Sequence, residues 1–537
     1  MAKSSSKYSE KILLALQNKE KIIFENAPNI DIEECSTDAA NQFSENTIMA
    51  LSSPKTPSIK EKTQYLSPTR FEKFLEKELT DEETIFAIKI ITGLEKSKLG
   101  EKSDFALFRG ENTLWTSVCC DEFECNHEEK NECFYLKALE NLEKSKTIVI
   151  SHLTLLKEIK IGSLSLPKAK NLILGNFENI YETAEFALSE IYYSSDLENL
   201  AFNETLKIKL EMLFGMLWLM IEKATDQTNQ NAYLSVELSE AYKGSKEWNQ
   251  ISAIALFAKE ILDKEKPTEL VKKLQILMSV LLSENSNYKT KIERSENEKV
   301  KIILIPLNVK EIVKKNIFEK YESIILISPN LSVNKSLAYI KEKNDIQDFK
   351  EDFILSDEKP ETAFYFIEDF KNLNRESLHR STAELAKYLI KRTSGKTLCV
   401  FLSKVSLKAT FNDIYADLKK HEIEIYAQDV SGGRGKVIDS YISNPDHSAL
   451  FILEHFFNFI DLNEIEFDQI LFSKFYFGNN DEETILRIKR IFNKLLAKNV
   501  KRVFIADPQA LKAIDEISAS MTCPVEMKSI KVGQIGN

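Results

Sequence analysis

From about residue 300 to the C-terminus the chain repeats one simple unit: a short run of apolar, mostly β-branched or aromatic residues, then a helix-patterned stretch. VKIILIPL, SIILISP, TAFYFI, TLCVFLS, IEIYAQ, SALFIL, QILFSKFYF and RVFIAD are such runs. Strands separated by helices are joined by crossovers, and crossovers favour parallel sheets with helices on both faces. An α/β architecture is therefore expected for this half of the chain.

The first half is less uniform. Residues 11–24 read as a helix running into a strand, and TIMALS at 47–52 as a second short buried strand. Helices are expected at 81–98 and 138–146, with strands at 147–150 and 171–174, the latter ending at Gly175. Residues 183–290 carry long helical patterns such as LKIKLEMLFGMLWLMIEKA and read as a largely helical module. The charged run SENSNYKTKIERSENEK, residues 283–299, reads as a linker.

Length and composition narrow the class further. At 537 residues the chain has room for roughly two to four domains. Its 43% apolar and 29% charged residues are those of an ordinary globular protein. The longest apolar run, Met212 to Ile221, is too short to span a bilayer, so no membrane role is expected. MAKSSSKYSEK at the start lacks the apolar core of a signal peptide, which makes the cytoplasm the expected location. Net charge is 72 minus 83, or −11, against extensive nonspecific binding to a phosphate backbone. A local basic groove stays compatible with that balance.

Four of the seven cysteines, Cys119, Cys120, Cys125 and Cys133, fall within 15 positions. Clustered thiols in this setting point to metal before disulfide. Soft thiolates select zinc or an iron–sulfur cluster over hard cations. Three readings stand: a [4Fe–4S] cluster on all four thiols, zinc with His127 as a nitrogen ligand, or a metal-free loop. Adjacent residues project in divergent directions, so Cys119 and Cys120 are not equivalent ligands. GGRGK at 432–436 looks like a phosphate loop, but Val430 and Val437 stand at positions that such a loop does not tolerate; a surface turn is expected.

The cysteine segment, with Trp115 before it and the strand Ile148, Val149, Ile150 leading to Ser151-His152 after it, resembles the cluster-binding insertion of the DinG/XPD-like DNA helicases of superfamily 2. Other landmarks follow in the same order. IIFENAPNIDIEE lies where the family has "EAPTGTGKT", its phosphate-binding loop, and keeps Ala27 and Pro28. TIMALSSPKT resembles "vvisTpTk", and KSDFALF resembles "rsNYlC" with Leu107 at the first cluster cysteine. NLILGNFENIYETA resembles "IIDEAHNLEDTA", IILISPNLS resembles "VILTSATLS", and GKTLCVFLSKVSL resembles "GRxLVLFTSYxxL". FNFIDLNEIEFDQILFSKFYF keeps Asp461 and Lys474 of "FWEGVDIPGxxLxxVIIxKLPF". LRIKRIFN lies on "QxxGRxIR", with Arg490 at the first arginine and Asn493 at the second.

The resemblance implies two tandem RecA-like domains. The first would comprise residues 1–105, 141–185 and 300–345, interrupted by a cysteine-bearing insertion at 106–140 and an arch-like helical module at 186–299. The second would comprise residues 346–537. It also shows what the chain departs from. A phosphate loop wraps phosphates with glycine-rich backbone and a lysine, yet Ile30 and Ile32 stand at glycine positions and Glu33 and Glu34 at the Lys and Thr positions. Gly175 and Asn176 replace the acids that would hold magnesium and activate water. ATP and magnesium binding are therefore expected to be lost, leaving Asp461 and Arg490 as retained positions. Trp115, Ser151 and His152 are the candidate DNA contacts; Trp115 reads first as a core residue and second as a stacking platform, and His152 reads equally as a polar residue in a turn. The expected function is a non-hydrolytic scaffold that binds single-stranded DNA or a protein partner in DNA repair or replication. An active 5′-to-3′ helicase with unorthodox nucleotide contacts is one alternative. The other is a structural subunit that binds a catalytically intact partner and no DNA.

Overall fold

The structure is a computed structural model that describes residues 2–107, 111–120, 133–142, 144–161, 166–194, 204–224, 234–238, 240–266, 269–294, 300–356, 359–457, 460, 462–498 and 500–535. The chain divides into two compact units, one of Met1–Met49, Asn171–Glu178 and Glu322–Asn537, the other of Ala50–Lys170 and Asn179–Tyr321.

The first unit holds two parallel α/β lobes. In the first lobe, α1 (Ala2–Gln17) buries Ile12, Ala15 and Leu16 and leads into β1 (Lys21–Asn26). Lys19 between them takes the left-handed backbone, φ 52°, that commonly ends a helix. β1 lies between Ser323–Ser328 and Lys350–Ile354, parallel to both. Asn171–Gly175 pairs on the far side of Ser323–Ser328, again parallel, and Thr47–Leu51 follows it in the sheet. SIILIS is buried at every position, as a strand covered on both faces requires.

The second lobe is a seven-stranded sheet in the order Glu424–Ala427, Ser448–Leu453, Thr397–Phe401, Gln469–Phe472, Arg502–Ile505, Ala363–Ile367, Glu526–Ile530. All its pairings are parallel. Alternation along TLCVF sends Leu398 and Val400 into one apolar cluster and Cys399 and Phe401 into another, so the sheet carries a core on each face. Helix Asp481–Lys498 contributes Ile485, Ile488, Ile491, Phe492 and Leu495 to the first cluster; Arg375–Arg392 and Lys404–Lys419 supply the second. The expected tandem RecA-like arrangement is present.

The boundary between the lobes falls later than position 346. KEDFI, at Lys350–Ile354, is half exposed and polar, an edge strand with little of the apolar signal that marks the others, and it belongs to the first lobe. GGRGK is not the surface turn expected: Arg434, Gly435 and Lys436 open helix Arg434–Ser443 with Gly433 at the N-cap, and only Gly432 and Gly433 precede the helix.

In the second unit, helices Glu204–Ala224, Lys246–Leu262 and Glu269–Leu281 share one core. The module is not purely helical. Glu190–Tyr193, Val300–Pro306, Tyr288–Arg294 and Leu234–Glu237 form an antiparallel sheet in that order. Two expectations change accordingly. The linker at 283–299 contains a strand, YKTKIER, whose alternation is obscured by charge on its wetter face. VKIILIP pairs in this sheet and not in the RecA-like one, because an apolar run does not specify which sheet it joins. Helices Pro68–Leu75, Asp81–Leu94 and Glu111–Val118 build a separate small core around Phe71, Phe86, Phe105 and Trp115.

Candidate nucleotide cleft and cysteine segment

In a parallel sheet the strands end on the same side, and ligands bind in the crevice outside their carboxyl ends. Here β1, Ser323–Ser328 and Asn171–Gly175 are neighbours, so the segments after them meet: Ala27 to Asp31, Pro329 to Ser332, and Asn176 to Glu178.

Each of these segments is held by hydrogen bonds from within the chain, although Glu178 Oε2, Glu25 Oε2 and Asn26 Oδ1 are buried without a hydrogen-bond partner. After β1, Ala27 N–H donates to Ile354 O (3.0 Å) and Ile30 N–H to Ala27 O (3.2 Å), forming a tight turn without glycine. Asp31 then caps α2 (Ile32–Gln42), its carboxylate accepting from Glu34 N–H at 3.1 Å. Glu33 and Glu34 occupy the first turn of the helix. A helix N-terminus attracts anions; this one presents three carboxylates of its own. After Asn171–Gly175, Gly175 continues the ladder opposite Ile327, and Asn176 takes φ 54° while its N–H donates to Ile327 O at 2.7 Å.

The second lobe closes over this edge through helix Asp481–Lys498. Lys489 and Asn493, one turn apart, both reach the first lobe. Lys489 Nζ donates to Glu25 Oε1 at 2.6 Å, to Ser332 O at 3.0 Å and to Ser332 Oγ at 3.1 Å, and both charged side chains have 0% exposure. Glu25 Oε1 also accepts the N–H groups of Leu331 (2.8 Å) and Ser332 (2.7 Å). Burial pushes Lys489 below the ordinary lysine range, and the Glu25 carboxylate opposes that shift. Asn493 Nδ2 donates to Pro329 O (2.8 Å) and Asn330 Oδ1 (2.9 Å), and Asn330 Nδ2 donates on to Glu178 Oε1 at 2.8 Å. Thr522 Oγ1 donates to Asn26 O at 3.1 Å. Around these bonds Ala27 and Val333 of the first lobe share a single apolar cluster with Phe364, Phe492 and other residues of the second.

The positions expected from sequence are thus accounted for unevenly. Glu33 and Glu34 lie in the first turn of the helix that follows β1, and Gly175 and Asn176 at the end of Asn171–Gly175. Arg490 is half-buried on the closing helix, its Nε without a hydrogen-bond partner. Asp461 lies outside the described residues, and Lys474 is exposed. Sequence reasoning missed Glu25 and Lys489. Their signal was a carboxylate ending the otherwise apolar KIIFE, and a lysine directly before Arg490.

In the second unit, Trp115 is 2% exposed and its indole N–H donates to Thr63 O at 2.9 Å, so it belongs to the small core and presents no free face for stacking on a base. Ser151 Oγ donates to Glu61 Oε1 at 2.7 Å and accepts Thr154 N–H at 2.9 Å. His152 begins helix His152–Ile161 and is buried. Cys119 and Cys120 are buried beside the core, their Sγ atoms 3.7 Å from Thr116 O and 3.6 Å from Leu66 O. Each Sγ thus lies at hydrogen-bonding distance of a different carbonyl. Cys133 is half-buried, with its carbonyl accepting Lys137 N–H. Cys125 and His127 lie outside the described residues. Among the described residues, no three His, Cys, Asp or Glu side chains form a group able to hold a metal, and no helix is long and apolar enough to cross a membrane.

No protein-family model and no curated protein sequence matches this chain. Solved structures do. Over 98% of its length the chain aligns with 99% of S. tokodaii Xpd4, with a TM-score of 0.51 and 10% identity. An apo XPD structure gives 0.52 and 11% identity over 98% of this chain and 100% of that one. The chain has the XPD helicase fold. A further XPD helicase agrees, at 0.50 and 13% identity over 98% of this chain and 94% of its own. Such identities carry fold and not residue roles. What the XPD fold does in this chain has to be read from the cleft.

Proposed function

We propose that this protein is a helicase-fold scaffold that no longer hydrolyses ATP and that works by binding a protein partner. One observation carries the reading: the helix N-terminus that would cradle phosphates is capped by Asp31 and lined by Glu33 and Glu34. Three carboxylates there repel a triphosphate, and without the acids replaced by Gly175 and Asn176 no side chain at that position supplies magnesium or base chemistry. Net charge of −11 and the burial of Trp115 favour a protein partner over single-stranded DNA.

The test is phosphate release by the full chain with Mg-ATP and single-stranded DNA. Release no greater than that of Glu33→Ala is expected, and turnover well above that variant overturns the reading. A labelled single-stranded oligonucleotide, titrated at about 50 and about 200 mM salt, decides the partner class: salt-dependent binding would move the scaffold to DNA.

A further inference from the structure

A ligand held between two lobes couples them only while it is bound, since the coupling is its differential affinity for open and closed forms. In this chain the cleft is bridged by its own side chains. We propose that the Glu25–Lys489 ion pair takes the place of a bridging ligand and fixes the two RecA-like lobes in one closed arrangement that ATP neither makes nor breaks. This rests on the reading that ATP is not the natural occupant of the cleft.

Geometry supports the lock in two ways. Lys489 Nζ has three donors and three acceptors, Glu25 Oε1, Ser332 O and Ser332 Oγ, so the buried ammonium is satisfied in this register alone. Sliding or opening the lobes breaks all three together, and with them the Asn493 and Thr522 bonds. The pair by itself is a weak clamp, because hydration offsets the separation of two charges. The surrounding apolar contacts supply the energy of closure: opening returns Ala27 and Val333, now 0% and 7% exposed, to water. Charge sets the register and apolar burial holds it, a division of roles best attested where buried polar groups specify one packing among several.

Single-molecule energy transfer on the full chain tests this, with dyes attached through non-natural residues at the exposed positions Ser44, in the first lobe, and Lys420, in the second. Wild type is expected to give one distance distribution, identical with and without Mg-ATP. Glu25→Gln combined with Lys489→Met, which removes both charges of the pair and keeps the apolar contacts, is expected to lose the single register and widen the distance distribution at least about twofold while far-UV circular dichroism is unchanged. Two populations in wild type, a shift on adding Mg-ATP, or a double variant with the same single, narrow distribution as wild type would each overturn the lock. Should the double variant lose its circular dichroism, the two wild-type distributions decide alone. Closed lobes together with ATP turnover would sink the non-hydrolytic reading and leave the lock standing.

Discussion

Glu25 and Lys489 stand 464 positions apart in sequence and 2.6 Å apart in the fold, both wholly buried. They join the first strand of the chain to its last long helix. Nothing else in the first unit ties two fully buried charges across so long a stretch of chain among the described residues.

Removing one partner leaves the other charge buried without compensation. Lys489→Met is expected to lower unfolding stability by about 3–5 kcal/mol. The double variant with Glu25→Gln should recover a large part of that loss, and a double-mutant cycle in urea measures the coupling. Equal, additive losses would mean that the two side chains do not act as a pair.

Asp31 caps α2 and also repels anions, and the two roles separate by substitution. Asp31→Ala should cost about 1 kcal/mol of stability as a lost cap. It should not confer a melting shift with Mg-ATP, because Glu33 and Glu34 remain in the same turn. Thermal melts with and without nucleotide read both effects.

Iron content addresses the cysteine segment. Anaerobically purified protein is expected to contain far less than one cluster per chain and to lack visible charge-transfer absorption, because Cys119 and Cys120 are buried with each Sγ beside a different carbonyl. Cys120→Ala should then lower stability by about 1 kcal/mol through lost packing and leave the spectrum unchanged. Stoichiometric iron that disappears in Cys120→Ala would assign it as a ligand.

Glu454, 1% exposed, accepts from Arg487 Nε at 2.9 Å, yet burial raises its carboxyl above the usual range. A carboxyl whose folded pKa is raised stabilises the fold below its unfolded pKa, and that stabilisation is lost as pH rises through the folded value. Glu454→Gln is therefore expected to be neutral or to stabilise by up to about 1 kcal/mol at pH near 7.5. The gain should vanish as pH falls toward the ordinary glutamate value of about 4.3. Denaturation curves at the two pH values test the sign.

Period and order in the sequence carried the second lobe well, because strands buried on both faces are nearly continuous apolar runs. TLCVF, SALFIL and RVFI announce themselves in this way. YKTKIER and KEDFI did not, since each shows one face to water and reads as charge; the antiparallel sheet and the lobe boundary were missed for that reason. At the cleft, the departures at Glu33, Glu34, Gly175 and Asn176 were readable against a motif. Glu25 and Lys489 were not, because a buried ion pair is a property of two distant positions, and each alone is an ordinary charged residue. Trp115 was legible as an aromatic beside cysteines, but its burial depended on three helices that no local pattern brings together.

The small antiparallel sheet has one further consequence. Glu190 and Leu304 are cross-strand partners, so the chain enters and leaves the helical module at adjacent points of one ladder. A segment whose two ends are neighbours can be lost, gained or exchanged without stretching the protein that hosts it. Residues 190–306 thus leave the rest of the chain through one paired doorway, with their three long helices gathered on a core of their own.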